Sequence, residues 1–341
     1  MRNNSDFPFA GQSARLMQKT CFLPMTKTKS PAKEHQPMFP LLLEMVVFIS
    51  GALVMAYEVT GSRILAPYVG TSVIVWTSLI GIILACLSAG YYLGGRLADR
   101  YPRAEVLAGM LFVAAVLIAL TGVIKEVVLA QIMSQNLDIK TATVISSIVL
   151  FGPASVILGT VSPYAVRLKM QAVTTSGATV GTLYALSTMG SIFGTFLAGF
   201  YLIPNYGVAT ILVQLAFTLV VLSLLLSMNQ LLALKAATAT AFLILLPFAD
   251  GLTSQAKFYE GATEINTVFN RVLLRDTERS GRDVLEMMIS NEHSSAMYKN
   301  SDDLVYRYTE FYDLARHFVP DFKTTLMLGG AGYSYPKHFL Q

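Results

Sequence analysis

Charge is what this chain has least of. Between Pro40 and Phe248 only fifteen residues carry one: Glu44, Glu58, Arg63, Arg96, Asp99, Arg100, Arg103, Glu105, Lys125, Glu126, Asp138, Lys140, Arg167, Lys169 and Lys235. Over all 341 residues the charged share is 13%, against roughly 25% in soluble domains. A helix in water needs a polar face, so apolar runs this long exclude a soluble helical domain. Cysteine is nearly absent as well. Cys21 and Cys86 cannot form a disulfide framework or a zinc site by spacing, and no Ser-His-Asp set or metal cluster stands out. A small-residue cleavage site is also missing after the basic N-terminal tail, so the first apolar run reads as an uncleaved signal anchor.

What is present is a series of apolar segments, each near twenty residues, with a mean hydropathy of +0.55 over the chain. A bilayer core of roughly 30 Å takes about 20 apolar residues per helical crossing. Seven spans are expected, at about 41–60, 73–94, 104–124, 142–163, 181–203, 208–228 and 231–249. Together they form a polytopic α-helical domain over 41–249. Residues 1–40 form a basic tail with Arg2, Arg15, Lys19, Lys27, Lys29 and Lys33 against Asp6 and Glu34. Its prolines among Ser, Thr and Lys predict disorder, and Met25 and Met38 stand as alternative start positions. From Asp250 onward ten basic and thirteen acidic residues mark a soluble part. The net charge of +4 therefore resides in tail and loops, where it orients a membrane protein among lipids and is no nucleic-acid footprint.

Basic loops choose the side. The tail, the Arg96/Arg100/Arg103 loop and the Arg167/Lys169 loop alternate correctly for the cytoplasm, and the turn Pro204-Asn205-Tyr206-Gly207 is uncharged, as an outer turn is. The expected setting is a multi-pass cell (inner) membrane protein with a cytoplasmic N-terminus. Seven crossings put the C-terminal part outside. The last span is the shortest and carries Lys235; if it lies along the interface, that part is cytoplasmic instead.

Two stripes of small residues, Gly190/Gly194/Ala198 with Ser187, Ser191 and Thr195, and Gly81/Ala85/Ala89, suit close helix packing or a substrate path. Glu58 is costly within a span unless paired or wetted. Either the helix ends near Thr60, leaving Glu58 and Arg63 to pair at the interface, or Glu58 contacts a substrate cation.

The loop from Gly90 to Arg103, with Gly94-Gly95-Arg96-Leu-Ala-Asp99-Arg100, resembles the cytoplasmic loop of major facilitator transporters. There Asp99 either pairs with Arg96, Arg100 or Arg103 to latch helices together, or belongs to a plain positive-inside loop.

Beyond Ala256 the pattern changes. Residues 267–275 and 283–289 read as strands around a charged loop with Gly281, 291–303 as a polar loop, 304–318 as an amphipathic helix, and 324–333 as a buried strand running into a Gly-rich turn. A helix is expected to open at Tyr335. This order resembles the spermidine synthase (polyamine aminopropyltransferase) family: a small β-domain and substrate loop (250–323), then the start of a Rossmann-like domain (324–341). With the spans and their Glu58, Arg63 and Gly94-to-Arg100 motifs, the chain is similar to fused membrane/spermidine-synthase-like proteins.

The resemblance implies an incomplete α/β domain after the helices. It places Gly329, Gly330 and Gly332 at an adenosyl ligand, decarboxylated S-adenosylmethionine as co-substrate, and His293, Ser294 and Tyr308 around an amine. The family's reaction is aminopropyl transfer to putrescine, its catalytic Asp expected downstream of Gln341. The family's Gly-Gly-Gly-Asp-Gly-Gly turn reads Gly329-Gly-Ala-Gly-Tyr-Ser-Tyr-Pro336 here, without the Asp. A fragment or truncated relative is therefore expected, with no bound cofactor as it stands. The rival expectation is a transporter or sensor of a polyamine or other small molecule, or a membrane-structural protein. As a half-facilitator it would transport as a homodimer.

Overall fold

A computed structural model describes residues 40–170, 176–227, 231–249, 262–267, 270–289, 292–320 and 324–340. The basic tail, Cys21 and the alternative starts lie outside them. Six helices are long and apolar enough to cross a membrane, as in a multi-pass membrane protein. They are α1 (Pro40–Val69), α2 (Val73–Arg100), α3 (Ala104–Met133), α4 (Ile139–Lys169), α5 (Ser176–Leu197, continued by a π-turn at Ala198–Leu202 and the short α6, Ile203–Asn205) and α7 (Val208–Leu226). The seventh expected span is the shorter apolar helix Leu232–Phe248, made of α8 (Leu232–Leu245) and a 3-10 turn. At 1.5 Å per residue it is roughly 26 Å long.

Residues without bulk decide how these helices meet. A Cβ on Gly51 would strike the Ser187 carbonyl, one on Gly190 the Phe48 carbonyl, and one on Gly194 the Ala52 carbonyl. The α1–α5 seam is thus backbone against backbone, with the helices parallel and advancing four residues for four. The Gly190/Gly194/Ala198 stripe is a packing seam. On the α2–α4 seam, a Cβ on Gly94 would lie 2.6 Å from the Thr160 Cα, and one on Gly159 2.6 Å from the Leu87 carbonyl. The Gly81/Ala85/Ala89 stripe is not part of it: all three are exposed, and α2 buries Ile83, Leu87, Gly90, Gly94 and Ala98 instead. Helix α3 packs on α4 and α7, and α8 on α7.

Four helices run past their expected ends, α2 to Arg100 and α4 to Lys169 among them. Helix α1 continues through Thr60 to Val69, so the expected Glu58–Arg63 pair at a helix terminus does not form. Helix α3 continues to Met133, placing Lys125 within it at 5% exposure.

The C-terminal part contains a four-stranded antiparallel meander: β1 (Thr263–Asn266), β2 (Arg271–Arg279), β3 (Arg282–Ile289) and β4 (Glu292–Tyr298). The β2–β3 connection is tighter than the expected loop over 276–282. Only Ser280 and Gly281 turn, both at positive φ (54° and 72°), as the two-residue hairpin turn matching strand twist demands. The stretch expected as a polar loop supplies β4, because Ser295, Ala296 and Tyr298 bury side chains despite their polar surroundings. Its register slips between Met287 and Met288, opposing them with Ser295 and His293 and leaving Ser294 bulged.

One sheet face carries Val284, Ala296 and Tyr298, covered by Val305 and Tyr306. The expected 304–318 helix is broken into α9 (Arg307–Glu310), a 3-10 turn and α10 (Leu314–Phe318). The expected strand at 324–333 does not form: residues 324–328 pair with no strand among those described, leaving Leu326 and Leu328 85% and 87% exposed. The expected helix does follow, as α11 (Ser334–Phe339).

Candidate functional site

The charges in the α2–α3 loop are spoken for, but differently from expectation. Asp99 accepts from Arg167 Nε at 3.0 Å, tying the end of α2 to the end of α4. The guanidinium of Arg96 lies 4.3 Å from the Tyr92 ring centre and that of Arg100 5.5 Å from Tyr101. Adjacency in space, set by the α2–α4 seam, overrides adjacency in sequence. A second tie on this end joins Lys169 to Glu44.

Glu58 sits deep in α1 at 7% exposure, with no ion-pair partner among the described residues. The parallel α1–α5 register carries it to the level of the π-turn at Ala198–Leu202. Its neighbour Tyr57 faces elsewhere, its hydroxyl 3.0 Å from Thr121 Oγ1 and donating to the Leu150 carbonyl at 3.1 Å. Arg63, one and a half turns on, donates to the Thr267 carbonyl at 2.8 Å and so joins α1 to the sheet.

The residues carried by the family resemblance occupy two neighbouring places. His293 Nδ1 lies 2.5 Å from Glu286 Oε1. Glu286, 1% exposed, also pairs with Arg275 (2.6 Å) and Arg279 (3.6 Å) and accepts from Tyr306 at 3.2 Å. Burial works to raise its carboxyl, but Arg275 and then His293 outweigh that and hold it below the usual carboxylate value. Tyr308 stacks on Tyr306 with centroids 5.8 Å apart. On the other side of β4, the Gly-rich turn closes onto Ser295: a Cβ on Gly332 would lie 2.9 Å from Ser295 Oγ, and Ser334 Oγ lies 3.2 Å from it. Gly329, Ala331 and Tyr333 have φ of 81°, 41° and 58°, so the turn is left-handed at alternate residues. Tyr335 donates to Asp313 at 3.0 Å, and burial, with that carboxylate, pushes its hydroxyl up to about 12.

A third place was not singled out from the sequence. Where the sheet meets the ends of α1 and α3 and the start of α7 lies a cavity of about 60 Å³, enough for several waters. Arg63, Lys125 and Arg271 bring positive charge to it, and Glu126 and Glu264 negative. Lys125 Nζ is 2.6 Å from Glu126, which also accepts from Tyr68. Arg271 Nη1 stands 3.7 Å from the same carboxylate, outside hydrogen-bond distance. Its Nη2 is buried with no hydrogen-bond partner. The available signal was the Lys125-Glu126 pair inside an otherwise apolar helix, which reads as loop charge when the span ends at 124.

Fold and sites together define a helical membrane domain carrying a small antiparallel sheet. No family profile, curated protein or solved structure matches the chain.

Proposed function

We propose that this is a membrane-bound spermidine-synthase-like protein, a multi-pass component of the cell (inner) membrane with its N-terminal tail cytoplasmic. Its C-terminal part begins the fold that transfers an aminopropyl group from decarboxylated S-adenosylmethionine to putrescine. The observation carrying this reading is the meeting of two segments expected to bind different ligands. The Gly-rich turn, leading from residues 324–328 into α11, closes on Ser295 of β4, the strand that also carries His293 and Ser294. In such a transfer the protein orients the amine and removes its proton, so that nitrogen attacks the carbon beside the sulfonium. Glycine in the turn lets the backbone approach a ligand closely.

Helix direction supports seven crossings. The sheet meets the far end of α1, whereas Asp99–Arg167 and Lys169–Glu44 lie at its starting end. Helix α8 starts on the side where α7 ends, and a crossing by it would bring the chain to the side on which β1 lies. A cytoplasmic start of α1 would put the sheet outside.

Transport or sensing of a polyamine is the second reading, favoured by the buried Glu58, which has no ion-pair partner among the described residues. A homodimer would bring two such half-facilitators together. Calorimetry separates the two. The 341-residue chain is expected to give no heat with decarboxylated S-adenosylmethionine, because Leu326 and Leu328 stand bare where a nucleoside site needs a neighbouring strand. A protein carrying further βα units after Gln341 is expected to bind it saturably, and Gly330→Val to abolish that binding. Failure of the extended protein to bind, with putrescine uptake by proteoliposomes that Glu58→Gln abolishes, would replace the enzyme with a transporter.

A further inference from the structure

From the cavity between the helix ends and the sheet we infer an oxyanion site, one that takes a phosphate group. Three cationic side chains, Arg63, Lys125 and Arg271, face two carboxylates, Glu126 and Glu264, leaving one positive charge in excess. The carboxylates do not saturate Arg271. Glu126 is engaged by Lys125 at 2.6 Å and by Tyr68, so Arg271 is left at 3.7 Å with Nη2 buried and unpartnered. A buried guanidinium N–H without an acceptor is a substantial cost, recovered when an anion takes that position. Arg is also the side chain whose planar fork fits a phosphate with two parallel bonds.

The surroundings agree. Helix α7 starts at the same cavity, with Gly207 as an N-cap that has no side chain to offer. Its N-terminal end adds the positive pole of the helix dipole to that side of the cavity. The cavity has room for several waters and opens where apolar helices give way to the soluble sheet, the depth of lipid headgroups. The phosphate therefore comes either from solution or from the headgroup of an anionic lipid, with the same contacts. This site stands apart from the Gly-rich turn and does not depend on the enzymatic reading.

The test uses the full chain in detergent and in nanodiscs. Inorganic phosphate titrated into the detergent-solubilised protein is expected to bind at one site per chain. Arg271→Met is expected to weaken it at least tenfold, while Arg282→Met, which removes an exposed cation paired with Asp303, leaves it unchanged. If phosphate gives no heat, one phosphatidylglycerol retained in native mass spectra by the wild type and lost in Arg271→Met supports the same site with a lipid source. Phosphatidylcholine serves as the comparison. Should Arg271→Met not fold, Arg63→Gln carries the same expected loss. Neither phosphate nor phosphatidylglycerol bound by the wild type, or binding equally reduced in Arg282→Met, overturns the inference.

Discussion

Glu58 and Glu286 are both buried carboxylates, at 7% and 1% exposure, and the two regions of the molecule treat them oppositely. The sheet surrounds Glu286 with Arg275, Arg279, His293 and the Tyr306 hydroxyl. The helical domain gives Glu58 no ionic partner among the described residues and spends its polar contacts on Tyr57, Thr121 and backbone carbonyls. In the sheet a carboxylate organises structure, since β2, β4 and the residue that opens α9 converge on it. In the helices structure is organised by glycine, which lets carbonyls and Cα atoms touch across the α1–α5 and α2–α4 seams. A carboxylate unused for architecture inside a membrane domain is a functional candidate.

Glu286→Gln is the harshest break of that comparison. It leaves two arginines facing a neutral amide in a nearly closed site, and removing one partner of a buried ion pair costs about 3–5 kcal/mol. Hydrogen exchange of β2 and β3 amides in detergent is expected to show protection collapsing there while α1–α4 keep theirs. The same carboxyl sets an acid limit. Its value in the folded protein lies below the ordinary 4.5, so its stabilisation is complete above 4.5 and is lost as pH falls through the lowered value. Acid is expected to release the sheet before the helices, and Glu286→Gln to remove that step.

Gly190→Val strikes the helical region. The new side chain would occupy the place of the Phe48 carbonyl, and such overpacking costs about 1–3 kcal/mol. Thermal melting in detergent should fall accordingly, whereas Gly81→Val, at an open position on α2, should melt like the wild type. Equal losses would mean that the outward stripe packs as well.

The smallest effects sharpen the contrast. Asp99→Asn removes a pair whose side chains are 44% and 75% exposed, worth about 0–1 kcal/mol. Its loss should match that of Arg167→Gln and exceed that of Arg96→Gln. If Arg96→Gln matters more, the latch is local to the α2–α3 loop after all.

By itself the sequence determined the apolar helices, a hairpin around Gly281 and the helix after the Gly-rich turn, and it offered packing as one of two readings of the Gly190/Gly194 stripe. Each follows from local chemistry: run length against bilayer thickness, the φ a two-residue turn demands, absence of a Cβ. Strand β4 was hidden because alternation is weak in Glu-His-Ser-Ser-Ala-Met-Tyr and its pairing comes from β3. Residues 324–328 read as a buried strand by composition, yet burial needs neighbours that composition cannot supply. Only the tertiary structure decided the partners of the charges: Arg167 for Asp99, the Thr267 carbonyl for Arg63, and one cavity for Lys125, Glu126 and Arg271. Those pairings depend on which helix ends share a side of the membrane and which helices are neighbours. Coulomb attraction acts through space, and chain order does not fix that distance.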